Sequence, residues 1–201
     1  MPLRQKSVPA LPSSLNLTGK TALVTGANKA LGFATCQRYI EHSISKLILA
    51  VRNVETGEAA KVMLLQGASL RQRLSRQPVG ISVRKLDMES LASIVALIDG
   101  LATENIPIHI ALLNAGIWKM KWAITPETGY ETVFQVSYLS TAVLTLFLLP
   151  ILVRTSEATS ARSVLTVVGS ELQSDSSWKK KKTAPPSIFS EFANEATFSG
   201  F

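Results

Sequence analysis

Ala22-Leu-Val-Thr-Gly-Ala-Asn-Lys-Ala-Leu-Gly-Phe33 is a short apolar run, a glycine-punctuated turn and the opening of a helix. That order gathers backbone N–H groups and the positive end of a helix dipole in one place, which makes a site for a phosphate anion. Gly26 and Gly32 can supply the tight turn and the close backbone approach that a dinucleotide pyrophosphate requires, with Lys29 and Leu31 between them. Many strand–helix turns carry glycine for geometric reasons alone, so the rest of the chain decides what this one does.

Outward from that turn, strands and helices alternate. Leu23 and Val24 belong to a first strand, and the spacing predicts a helix over about 30–42. Residues 46–51 form a continuous apolar run, the mark of a parallel strand buried on both faces. A helix over 58–65, a basic loop over 66–79 that is long for such a unit, and a strand over 81–86 follow. Leu91, Ile94, Val95, Ile98 and Leu101 fall on one helical face. Residues 109–113 form a fourth strand closing on Asn114-Ala115-Gly116. A long helix then runs over about 129–153, and a fifth strand over 163–168 ends at Gly169-Ser170. Right-handed βαβ crossovers would make this an α/β protein with a doubly wound parallel sheet of about five strands. The expected organisation is a flexible leader over 1–18, the α/β domain over 19–170 and a loop-rich basic tail over 171–201.

Composition narrows the classes. A chain of 201 residues with 46% hydrophobic content suits one folded domain and argues against disorder. A single cysteine, Cys36, rules out an internal disulfide and a cysteine-based zinc site, and His42 and His109 are too few for a histidine-based one. The net charge of +7 sits mainly in Arg71, Arg73 and Arg76 and in the run Lys179 to Lys182. Neither patch is interleaved with stacking aromatics, so a solvated loop and a tail are expected and no nucleic-acid partner. No signal-peptide pattern opens the sequence, and the lone thiol fits a reducing compartment, so a cytoplasmic location is expected. Residues 136–153 carry no charge and approach the length of a spanning helix. Ser137, Ser140, Thr141, Thr145 and Pro150 within that stretch favour a helix buried against a sheet and a partner subunit, with no membrane.

From about Lys20 to Ser170 the chain resembles a short-chain dehydrogenase/reductase cut off before its end. The family's Thr-Gly-x3-Gly-x-Gly pattern is matched by Thr25, Gly26 and Gly32, with Ala30 at the middle glycine. A methyl group there crowds the backbone approach to the pyrophosphate. Asp87 matches the aspartate that hydrogen-bonds the adenine amino group, Asn114-Ala115-Gly116 the segment flanking the cofactor, and Ser170 the catalytic serine. Taken singly, Asp87 also suits a helix N-cap, Asn114-Ala115-Gly116 a turn and Ser170 a loop hydroxyl. Together they fall in order at the C-terminal ends of strands, where open α/β sheets bind ligands. The resemblance implies a Rossmann-type sheet, truncated relative to the family. It also implies a cofactor site of Gly26, Lys29, Leu31, Gly32, Arg52, Asp87, Asn114 and Gly116, with Ser170 catalytic.

The second strand ends in Ala50-Val51-Arg52 without the carboxylate that accepts from a ribose 2′-OH. Arg52, otherwise a surface arginine, can pair with a 2′-phosphate through its planar fork, assisted by Lys29, which points to NADP(H). The substrate implied is a small-molecule carbonyl or secondary alcohol. Leu112-Leu-Asn-Ala-Gly-Ile-Trp118 and Phe134-Gln-Val-Ser-Tyr-Leu-Ser-Thr141 resemble fungal members of secondary-metabolite pathways. The 129–153 helix resembles the family's homodimer-forming element, and residues 187–201 its serine–tyrosine connection. The family's Tyr-x3-Lys pair is missing: Tyr39, Tyr130 and Tyr138 are followed four places later by Ser43, Phe134 and Ala142. Ser137 stands where the family has a supporting asparagine. An impaired oxidoreductase is therefore expected, the alternative being a non-catalytic dinucleotide-binding or scaffold protein.

Overall fold

A computed structural model describes residues 9–12, 14–67, 78–170 and 188–197. Five strands, β1 (Thr21–Thr25), β2 (Lys46–Val51), β3 (Gly80–Lys85), β4 (Ile110–Leu113) and β5 (Val164–Val167), form one sheet in the order β3-β2-β1-β4-β5. Every pairing is parallel, and central Val24 lies opposite Leu49 on one side and Leu112 on the other. Helices α1 (Ala30–Glu41), α2 (Val54–Gln66), α3 (Leu91–Thr103) and α4 (Thr132–Thr159) connect the strands. A short α5 (Ile188–Glu191) follows.

Burial on both faces explains why the strand sequences are continuous apolar runs. Leu23, Ile48, Ala50 and Ala111 pack with Ile94, Leu97 and Leu101 of α3 and with Leu144 and Leu148 of α4. Their strand neighbours Ala22, Val24, Leu47, Leu49 and Val51 face the other way, against Cys36 and Ile40 of α1 and Leu64 of α2. Each fully buried leucine or isoleucine contributes roughly 1.5–3 kcal/mol, so this double layer carries the fold. Burial pushes the Cys36 thiol up to about 12, which leaves it a core residue without thiolate chemistry.

Element starts differ from the periodicity where capping decides them. Helix α2 begins at Val54, a turn earlier than expected, because Asn53 Oδ1 accepts the Thr56 N–H at 3.1 Å. Helix α4 begins at Thr132 rather than 129, since Gly129 holds a φ of +73°. Glu131, buried at 4% exposure, caps it by accepting the Val133 and Phe134 N–H groups at 2.9 and 2.8 Å. One π-helical turn, Gln135–Leu139, then precedes Ser140–Thr159. The helix passes Pro150, which lies on its exposed side, and runs beyond 153 to Thr159. By length and composition α4 could cross a membrane, but its face carrying Leu144, Leu148, Ile151 and Leu152 is buried in the core.

Ahead of β1, the Leu17 N–H donates to the His42 carbonyl at 2.8 Å, and the Gly19 N–H to Ser45 Oγ at 2.7 Å. Of the tail, residues 188–197 form α5 and a 3₁₀ turn, Glu195–Thr197, and the Phe192 ring stacks on Phe134 at 3.9 Å. Arg71, Arg73, Arg76 and the run Lys179 to Lys182 lie outside the described residues.

Candidate functional site

The strand order reverses between β1 and β4, and the loops leaving β1, β2, β3 and β4 border a cleft of about 210 Å³ there. An open α/β sheet binds ligands at such a switch point. Gly26, Asn28 and Lys29 line it from the first loop, Arg52 and Asn53 from the second with Thr56 in the first turn of α2, Asp87 and Glu89 from the third, and Gly116 and Ile117 from the fourth. Val136, in the π turn of α4, closes one side.

Packing shapes the first loop. Gly26 has a φ of +64°, and a Cβ on it would meet Ala115 Cα and Asn114 Nδ2 at 3.2 Å. Gly32 lies below, where a Cβ would come within 2.5 Å of the Gly26 carbonyl. Thr25 Oγ1 accepts the backbone N–H groups of Asn114 and Ala115, each at 2.9 Å. The Asn114 amide donates back to the Thr25 carbonyl at 3.1 Å. Asn114 and Gly32 thus brace the loop from beneath and are not among the cleft-lining residues. The side chain of Leu31, in the first turn of α1, is 55% exposed and also lies outside the lining.

Two features suit an anion. Helices α2, α3 and α4 each have a side chain capping their first N–H groups, whereas Lys29 at the start of α1 makes no such bond. The first turn of α1, directly after lining residues Gly26, Asn28 and Lys29, is left able to bind a phosphate. Arg52 and Lys29 add positive charge to the same cleft. Ala30 occupies the left-handed region at φ +47°, a conformation glycine adopts freely and alanine only under strain.

Asp87 lines the cleft, but the side-chain cap of α3 is Ser90, whose Oγ accepts the Ser93 N–H. Asp87 Oδ1 accepts the Glu89 N–H at 3.0 Å instead. Ser170 is exposed three residues past β5 and is not among the lining residues. Sequence reasoning missed Asn28 and Thr56, joined at 3.1 Å across the cleft, and Glu89, which pairs with Arg52. Only the strand-exit position of Glu89, two residues after Asp87, could have signalled it. No tyrosine lines the cleft. Tyr130 and Tyr138 belong with Phe134 to an aromatic cluster, and burial, with Cys36 beside it, raises the pKa of Tyr39 on α1.

A family profile described as short chain dehydrogenase matches residues 20–170. A short chain dehydrogenase of Arthrobotrys oligospora is 37% identical over 192 residues, covering 95% of this chain and 58% of that protein. Another, from Penicillium oxalicum, is 40% identical over 172 residues, covering 83% of this chain and 52% of that one. The chain thus spans little more than half the length of these relatives. Among solved structures, the Pseudomonas aeruginosa RhlG/NADP active-site complex superposes with a TM-score of 0.61 at 23% identity, over 78% of this chain and 55% of that one. A 3-ketoacyl-(acyl-carrier-protein) reductase of Brucella melitensis complexed with NADH gives 0.58 at 20%, over 78% and 59%. These likenesses establish a shared fold.

Proposed function

The chain belongs to the short-chain dehydrogenase family, and on that premise we propose that it is an NADP(H)-dependent oxidoreductase acting on a carbonyl or secondary alcohol. The observation that carries this reading is the meeting of Arg52 and Lys29 in one cleft with the glycine loop and the side-chain-uncapped first turn of α1. In this reading the pyrophosphate rests on the loop from Gly26 to Gly32, Arg52 pairs with the 2′-phosphate and Asp87 accepts from the adenine amino group. Gly116 leaves room beside the nicotinamide end, and Asn114 keeps the loop in place. The bound nicotinamide supplies or accepts the hydride, and the Ser170 hydroxyl holds the substrate oxygen. The reading further places the protein in the cytoplasm, in fungal secondary metabolism, and as a homodimer through the outer face of α4.

None of the three tyrosines lines the cleft or belongs to a Tyr-x3-Lys pair, and loss of general acid catalysis costs about 10²–10⁴-fold in rate. The 201-residue chain is therefore expected to oxidise NADPH with a panel of ketones at rates lower by about that factor than family members carrying Tyr-x3-Lys. Rates equal to theirs would overturn the impairment. The absence of tyrosine from the cleft lining also favours a second reading, a non-catalytic dinucleotide-binding protein. Tight cofactor binding with no turnover at all would select it.

A further inference from the structure

Arg52 and Glu89 meet at the mouth of the cleft although 37 residues separate them, the first leaving β2 and the second leaving β3. Arg52 Nη1 lies 3.1 Å from Glu89 Oε1, with the two side chains 66% and 28% exposed. The backbone on both sides is held: Lys85 Nζ donates to the Arg52 carbonyl at 2.7 Å, and the Glu89 N–H donates to Asp87 Oδ1 at 3.0 Å. Glu89 also immediately precedes Ser90, the N-cap of α3, where the helix dipole favours a negative charge. No carboxylate stands at the end of β2, where Val51 is followed by Arg52 and Asn53, yet the fold brings Glu89 to Arg52 from the exit of the neighbouring strand.

A ribose edge entering here meets a guanidinium and a carboxylate together. A 2′-phosphate must share Arg52 with Glu89, which holds the guanidinium at Nη1, and it then sits beside a like charge. A free 2′-hydroxyl carries no such charge and can donate to the carboxylate. Resting on the dinucleotide reading above, we propose that Glu89 is a specificity-determining residue that opposes Arg52. It weakens the grip on 2′-phosphorylated dinucleotides and narrows their advantage over unphosphorylated ones.

The test is calorimetric titration of the 201-residue chain with adenosine 2′,5′-bisphosphate and with adenosine 5′-monophosphate, which differ only in a phosphate on the 2′-oxygen. Part-exposed ion pairs are weak, so Glu89→Gln is expected to bind the bisphosphate about fivefold tighter, with binding of the monophosphate unchanged or weaker. In an Arg52→Gln background the same change should gain no more than about twofold, because the shared guanidinium is gone and only a solvent-screened like-charge repulsion is relieved. An unchanged or weakened bisphosphate affinity in Glu89→Gln would overturn this role while leaving the cofactor reading intact. A wild-type chain that binds neither probe, or an Arg52→Gln variant that keeps the full 2′-phosphate preference, would overturn the cofactor reading and this inference with it.

Discussion

At the scale of the residue, two small side chains set the loop that the sequence announces. Ala30 sits at φ +47°, where an L-residue is strained by about 1–2 kcal/mol and glycine is not. Ala30→Gly is therefore expected to raise stability by roughly 1 kcal/mol, read as a higher urea midpoint, and an unchanged or lower midpoint would contradict the strain. Gly32 is the converse case: a methyl group there meets the Gly26 carbonyl at 2.5 Å and the Asn114 amide at 2.8 Å. Gly32→Ala should cost about 1–3 kcal/mol by overpacking and loosen cofactor binding with it. The glycines, Arg52 and Asp87 were legible because each follows an apolar run that reads as a strand. Glu89, Asn28 and Thr56 were not, because their partners lie across the cleft on other loops, and no local pattern encodes such a contact.

At the scale of the element, the strands could be read because burial on both faces leaves unbroken apolar runs, while helix ends depended on individual caps. Asn53 starts α2 early, Glu131 starts α4 late, and the π turn over Gln135–Leu139 has no signature in the apolar pattern. One contact between β1 and the start of β4 predicts a pH dependence. The buried His109 ring accepts the Thr21 N–H at Nδ1, 3.1 Å away, which requires that nitrogen to be unprotonated. Burial first, and Lys20 second, hold its pKa below the ordinary imidazole value. With the folded pKa depressed, its contribution is complete above the unfolded value of about 6.5 and is lost as pH falls through the folded one. Denaturant midpoints should drop between about pH 7.5 and 5.5, and His109→Asn should flatten that slope. An unchanged slope in the variant would rule His109 out as its source.

At the scale of the whole molecule, apolar surface is left over on the outer face of α4 and along β5 at the sheet's edge. Leu146, Phe147, Leu149 and Val153 on α4 are exposed, and on β5 Val164 and Val167 are 46% and 48% exposed. Open apolar faces and strand edges drive association, so the chain is expected to sediment as dimers or larger species, with Phe147→Asp shifting it toward monomer. A monomeric wild-type chain at high concentration would contradict this. The remaining sheet, bounded by helices on both faces, organises everything around the cleft at its switch point. That cleft is the centre of the account, and direct comparison of NADPH and NADH affinities by equilibrium titration tests it most sharply. The account predicts that both bind and that NADPH binds tighter by about three- to tenfold, a modest margin because Glu89 opposes Arg52. Equal affinities, or no binding of either dinucleotide, would contradict it.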